Sequence, residues 1–130
     1  MAMDPGTRKA VVEKLAAALR GHCPPLVCVK DTRDACEVIG NIPHPYGSTK
    51  KIVPGMHFAS VVAHKDMVSF HFMPIYYHRK EFESVAPALL KCLKGKACFN
   101  FKTANQIDTR ELDQLLNRGA RAWKKLGYIR

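Results

Sequence analysis

The stretch Gly55–Pro74, GMHFASVVAHKDMVSFHFMP, decides the fold. Two runs rich in β-branched and aromatic residues alternate along their length and fold back on each other across His64-Lys65-Asp66, the pattern of an antiparallel hairpin. A two-residue Lys65-Asp66 turn sets its register. Ala59, Val61 and Ala63 then share one face with Val68, Phe70 and Phe72, while Phe58, Ser60 and Val62 share the other with Ser69, His71 and Met73. The first face is the better core face, and Pro74 ends the second strand.

Upstream, Asp4-Pro5 places a capping carboxylate before a proline suited to a first helical position, and Val11, Val12, Leu15 and Leu19 recur at helical spacing. This predicts a helix over about 5–20, ended by Gly21. Pro24 and Pro25 turn the chain. Leu26 to Val29 is an edge strand or a buried loop, and Ala35–Ile42 reads as a strand or as a short helical turn leading into one, with strand preferred. Pro43 to Pro54, PHPYGSTKKIVP, reads as a loop without a regular element, the kind of segment that carries function.

Downstream, Ile75 to Lys80 forms an aromatic and basic connection. Phe82, Val85, Ala86, Leu89, Leu90 and Leu93 predict a helix over about 81–93, either kinked at Pro87 or, preferably, starting near Ser84 so that Pro87 falls in its first turn. Ala97–Lys102 alternates as a strand antiparallel to the hairpin. Asp108 and Glu111 form a capping-box pair for a last helix striped by Leu112, Leu115, Leu116, Gly119, Trp123 and Leu126 and stopped by Gly127. The expected class is α+β, with helices packed on one face of an antiparallel sheet.

At 130 residues the chain suits one domain spanning 1–130, part of 1–7 being read as an expression remnant. No apolar run approaches the ~20 residues a membrane span needs, so no membrane association is expected. Five cysteines, an odd number scattered through otherwise core-forming segments, fit a reduced cytoplasmic protein. The formal charge of +10 would attract polyanions or anionic metabolites.

The strings MHFASVVAHKDMVSFHFMPIY, LLKCLKGKACFNFK and ELDQLLNRGARAWKKLGYI together resemble the YdhG-like family of bacterial domains of unknown function. The resemblance covers roughly residues 10 to 128 and rests on structural motifs. It implies a two-layer sandwich similar to frataxin, and it suggests an iron chaperone as one expected role.

Among candidate sites, His57, His64, His71 and His78 recur every seven residues, but strand parity prevents the four from converging. His57 and His71 can meet on neighbouring strands, with Cys98 or Cys36 completing a donor set of the kind zinc accepts. The CxxC and HxxxH spacings that identify zinc sites are absent, so no metal is assigned and no cofactor is expected. His44, Tyr46, His57, His71, Tyr76 and Tyr77 cluster at the hairpin ends and are the expected ligand-binding residues. Cys28, beside Lys30 and Arg33, is the first cysteine to test for reactivity. Lys50, Lys51, Arg79, Lys80, Lys94 and Lys96 are candidates for an anion-binding face, with Tyr46, Tyr76 and Tyr77 as stacking surfaces. No catalytic triad, paired carboxylates or phosphate loop can be assembled. The expected function is therefore non-enzymatic binding of a small ligand, metal or protein partner between the sheet and the Pro43–Pro54 loop. A nucleic-acid-binding module is the alternative.

Overall fold

Helix α1 (Pro5–Arg20) starts where Asp4 Oδ2 accepts the Thr7 amide at 3.1 Å and Pro5 occupies the first turn. The computed structural model describes residues 3–46, 48–77 and 79–130, leaving the Tyr46 side chain outside the description. Val11, Val12, Leu15 and Leu19 are buried along one side of α1. The chain then turns into strand β1 (Val27–Asp31), which pairs antiparallel with β2 (Ala35–Ile39), so the ambiguous Leu26–Val29 and Ala35–Ile42 segments both contribute strand. Arg20, at the end of α1, reaches both Glu13 and Asp31 and ties the helix to this edge.

The Pro43–Pro54 segment is not the structureless loop its composition predicts. Strand β3 (His44–Tyr46) pairs with β4 (Lys51–Val53) in a small ladder of its own, with Lys50 at a positive φ of 53° in the connecting turn. The physical reason is that the prolines sit where pairing tolerates them: a two-stranded ladder has only edge strands.

Next comes the hairpin. Strands β5 (His57–Ala63) and β6 (Val68–Phe72) pair in the expected register, Ala63 opposite Val68, Val61 opposite Phe70 and Ala59 opposite Phe72. One assignment of its faces changes. On the β2 side the register slips, Val38 pairing with Ala59 but Ile39 with His57, so Phe58 is an extra residue and joins the core face. It packs edge-on against Phe72 and Trp123 at ring-centroid separations of 5.5 and 5.8 Å. His57 is left on the opposite, helix-free face beside His71. The slip thus adds a phenyl ring to the core without moving the histidine into it.

Helix α2 (Pro74–Tyr77) falls in the segment expected to be a connection, and α3 (Arg79–Val85) and α4 (Pro87–Leu90) replace the single helix expected over 81–93. Proline cannot supply the interior N–H that a continuous helix needs, so Pro87 opens a new turn rather than entering the first turn of a helix begun at Ser84. The carboxylate of Glu111 caps that turn, accepting from the Ala88 and Leu89 amides, each at 3.0 Å. This use diverts Glu111 from the capping box predicted for the last helix. Asp108 caps that helix alone, accepting from the amides of Arg110 and Glu111.

Strands β7 (Leu93–Lys94) and β8 (Cys98–Phe101) follow, and helix α5 (Thr109–Lys125) closes the chain. The main sheet runs β1-β2-β5-β6-β8-β7, antiparallel at every pairing. Helices cover one face over a core of Phe58, Phe70, Phe72, Phe82, Phe99, Phe101 and Trp123, none more than 1% exposed. Gly119 lets α5 approach this closely, since a Cβ there would lie 2.5 Å from the Phe72 ring. Leu126, expected on the buried stripe, is instead 44% exposed past the end of α5. Among the described residues, no helix is long and apolar enough to cross a membrane.

Candidate ligand cleft

The helix-free face of the sheet is partly covered by the segment leading from β4 into β5, and between them lies a cleft of ≈ 500 Å³. Alternation explains its floor. In β2, Cys36 and Val38 point into the core, so Glu37 projects from the other face. The slip at Phe58 keeps His57 on that same face, and β6 brings His71 there by parity. Val29 and Ile39 on the sheet, Val53 and Pro54 opposite, and Met56 and Met73 at the ends give the cleft apolar walls.

Three side chains form a continuous chain on the floor. Glu37 Oε2 lies 3.2 Å from His57 Nδ1, and His57 Nε2 lies 3.2 Å from His71 Nδ1. The side chains of His57 and Glu37 retain 22% and 40% exposure, so they are reachable from the cleft. Burial, and secondly the neighbouring His57, push His71 below the ordinary imidazole value of 6.5, which favours its neutral form. Neutral imidazole both donates and accepts hydrogen bonds, so the floor offers polar recognition inside an otherwise apolar space.

Of the expected ligand-binding residues, His57 and His71 are brought together in the cleft. His44 lies in β3 with its ring edge-on to Tyr128 at 5.0 Å, held by the C-terminal segment and not part of the cleft wall. Tyr46 belongs to β3, but its side chain falls outside the described residues. Tyr76 and Tyr77 stand on α2, ring to ring at 5.8 Å, and line surface depressions away from the histidine pair. Glu37 is the site residue that sequence reasoning missed. Its signal was an acidic residue between two apolar ones in ACEVI, which alternation assigns to the face opposite the core.

The soft metal set does not assemble as expected. Cys98 lies opposite His71 in the β6–β8 pairing, but Cys36 is buried on the core face, where burial and the adjacent Cys28 thiol push its pKa up to about 12. Among the described residues, no group of three His, Cys, Asp or Glu side chains is arranged to hold a metal ion. Cys28 itself donates weakly to the Lys30 carbonyl at 3.3 Å, and all five cysteines are free thiols.

The expected anion-binding residues are distributed over several elements. Lys50 belongs to the β3–β4 turn, Lys51 to β4, Lys94 to β7, and Arg79 and Lys80 to α3, where Arg79 pairs with Glu83 at 3.3 Å. Lys96 places its ammonium 5.5 Å from the centre of the Tyr76 ring, and a depression of ≈ 340 Å³ between them also takes in Arg79. No family model matches the chain, and no curated protein or solved structure matches it either.

Proposed function

We propose that this chain is a binding domain for a small organic ligand, held in the cleft between the open face of the sheet and the segment that follows β4. The observation that carries this reading is the apolar ≈ 500 Å³ cleft floored by Glu37, His57 and His71. Its volume lies in the range of small-molecule sites, and a few convergent polar groups among apolar walls are what such sites use for orientation. The two methionines add walls that adjust to ligand shape.

The YdhG-like relation is retained within this proposal, supported by the order of helix, hairpin, helix, strand and helix. An iron-chaperone role has less support. Iron as a hard cation prefers oxygen ligands, and the α1 region carries Asp4 and Glu13 among Arg8, Lys9, Lys14 and Arg20.

In a ¹H–¹⁵N NMR screen of fragment-sized aromatic compounds, we expect shifts gathered at Val29, Glu37, His57 and Met73. Val53→Trp, which fills the cleft from its β4 wall, should weaken a hit by about tenfold or more, equivalent to ~1.4 kcal/mol. Shifts scattered over the surface and indifferent to Val53→Trp would remove the reading. Elemental analysis of protein purified without added metal supplies the competing outcome: stoichiometric zinc or iron, lost in His57→Ala and His71→Ala, would replace the organic ligand by a metal.

A second reading is carried by the Lys96–Tyr76 stack beside Arg79, which pairs positive charge with an aromatic face as single-stranded nucleic-acid sites do. Retention of a labelled oligonucleotide should then fall linearly in log–log form with salt, and Tyr76→Ala should weaken it by ~1–3 kcal/mol. Salt-independent retention, or none, would eliminate that alternative.

A further inference from the structure

The hydrogen bonds on the cleft floor have a direction, and direction restricts what can bind. An ionised carboxylate only accepts hydrogen bonds, so with Glu37 Oε2 3.2 Å from His57 Nδ1, the proton of a neutral His57 sits on Nδ1. His57 Nε2 is then a lone pair. It faces His71 Nδ1 at 3.2 Å, which must donate to it. A neutral His71 that carries its proton on Nδ1 has an unprotonated Nε2, and the His71 side chain makes no other hydrogen bond among the described residues. Three side chains on three neighbouring strands thus fix the tautomer of the last ring in the series.

We propose that the cleft selects apolar ligands carrying a weakly acidic O–H or polar N–H group, a phenol-like donor, which bonds to His71 Nε2 while the apolar body lies against Val53, Met56 and Met73. This assignment rests on the cleft being the ligand site. The side chains flanking His71 leave its polarity intact: His57 on β5 accepts from it, Cys98 lies opposite on β8, and Val53, Pro54 and Gly55 bring no charge from the facing segment.

One added proton inverts the selection. If His71 takes it, both of its nitrogens carry hydrogen. If His57 takes it, its Nε2 donates to His71 Nδ1 and the remaining His71 proton moves to Nε2. In either case His71 Nε2 becomes a donor and prefers an acceptor such as a carboxylate. Burial, the larger of the two causes that lower the His71 pKa below 6.5, favours the neutral ring, so the state in which His71 itself carries the added proton belongs to acid conditions.

Three probes of one shape separate these states: 2-naphthol, 2-methoxynaphthalene and 2-naphthoate, titrated into the ¹⁵N-labelled protein and followed at the cleft amides. At about pH 7.5, 2-naphthol should bind roughly tenfold tighter than its methyl ether, the worth of one hydrogen bond. Near pH 5 that preference should shrink and 2-naphthoate should gain. Imidazole ¹⁵N spectra of the ligand-free protein should show Nδ1–H tautomers for both His57 and His71 at the higher pH. Glu37→Gln, whose amide can donate as well as accept, should relax both the tautomers and the naphthol preference.

Equal binding of 2-naphthol and its ether in the cleft would overturn the polarity assignment while leaving the cleft as a ligand site. An Nε2–H tautomer at His71 would overturn it without reference to any ligand. Absence of cleft shifts with all three probes would overturn both this inference and the site on which it rests.

Discussion

Trp123→Ala should lower the stability of the protein by about 3–5 kcal/mol, the range found when a large aromatic side chain is deleted from a packed core. Trp123 is fully buried and meets Phe58, Tyr77 and Tyr128 edge-on with centroid separations between 5.1 and 5.9 Å. Its indole Nε1–H also donates to the Met56 carbonyl at 3.4 Å. That carbonyl accepts the Gly40 amide at 2.8 Å as well, so the indole helps hold the backbone next to His57. The cavity term supplies most of the loss, and the single hydrogen bond adds only ~1 kcal/mol. Because Trp123 is the only tryptophan, the unfolding midpoint in urea is best followed by circular dichroism. Trp123→Phe should retain much of the stability, and a loss below ~1 kcal/mol for Trp123→Ala would show that the C-terminal helix does not rely on this contact.

The second large effect is expected at Gly55. A Cβ on Gly55 would stand well under 3.0 Å from the carbonyl of Gly40, and one on Gly40 would crowd the carbonyl of Tyr128 just as severely. Three backbone segments therefore stack without intervening side chains: the end of β2, the approach to β5 and the C-terminal segment. Asn41 reinforces this contact by exchanging hydrogen bonds with Arg130, its Nδ2–H donating to the Arg130 carbonyl at 3.2 Å and its Oδ1 accepting the Arg130 amide at 3.0 Å. Overpacking usually costs ~1–3 kcal/mol, and backbone against backbone cannot be relieved by a rotamer change, so Gly55→Ala should fall at or beyond ~3 kcal/mol. The same substitution at Gly6, whose added Cβ would meet only the Asp4 side chain at 3.1 Å, serves as the control. Equal midpoints for the two variants would refute the stacked-backbone account. Gly55 also lines the cleft, so ligand binding should weaken along with stability.

Much of this architecture is legible from local pattern alone. The Asp4-Pro5 start of α1 and the Asp108 start of α5 each depend on residues within one turn, which makes them readable without knowledge of the fold. The β5–β6 register follows from a short turn and a period of two, both visible in Gly55–Pro74. Where the reading failed, the deciding partner was distant. Glu111 lies 23 residues from the Ala88 amide it caps, and nothing near Glu111 signals that use. The face of Phe58 depended on how β2 aligned against β5, a pairing that no local turn enforces because 17 residues, Gly40 to Met56, separate the two strands.

The site divides along the same line. The sequence by itself determined that His57 and His71 fall on neighbouring strands, since the hairpin is a local property. Strict alternation would put His57 on the face of Ala59 and Val61, and only the slip at Phe58 leaves it on the face of His71. Only the tertiary structure decided that Glu37 sits behind His57, 20 residues away, and that the two imidazoles join nitrogen to nitrogen 14 residues apart. Only the tertiary structure, too, separated Tyr76 and Tyr77 from that pair by placing them on α2. The physical reason is that alternation selects a residue's face only within an unbroken strand, whereas strand order selects its neighbours and a one-residue slip turns its face, and those are properties of the assembled sheet.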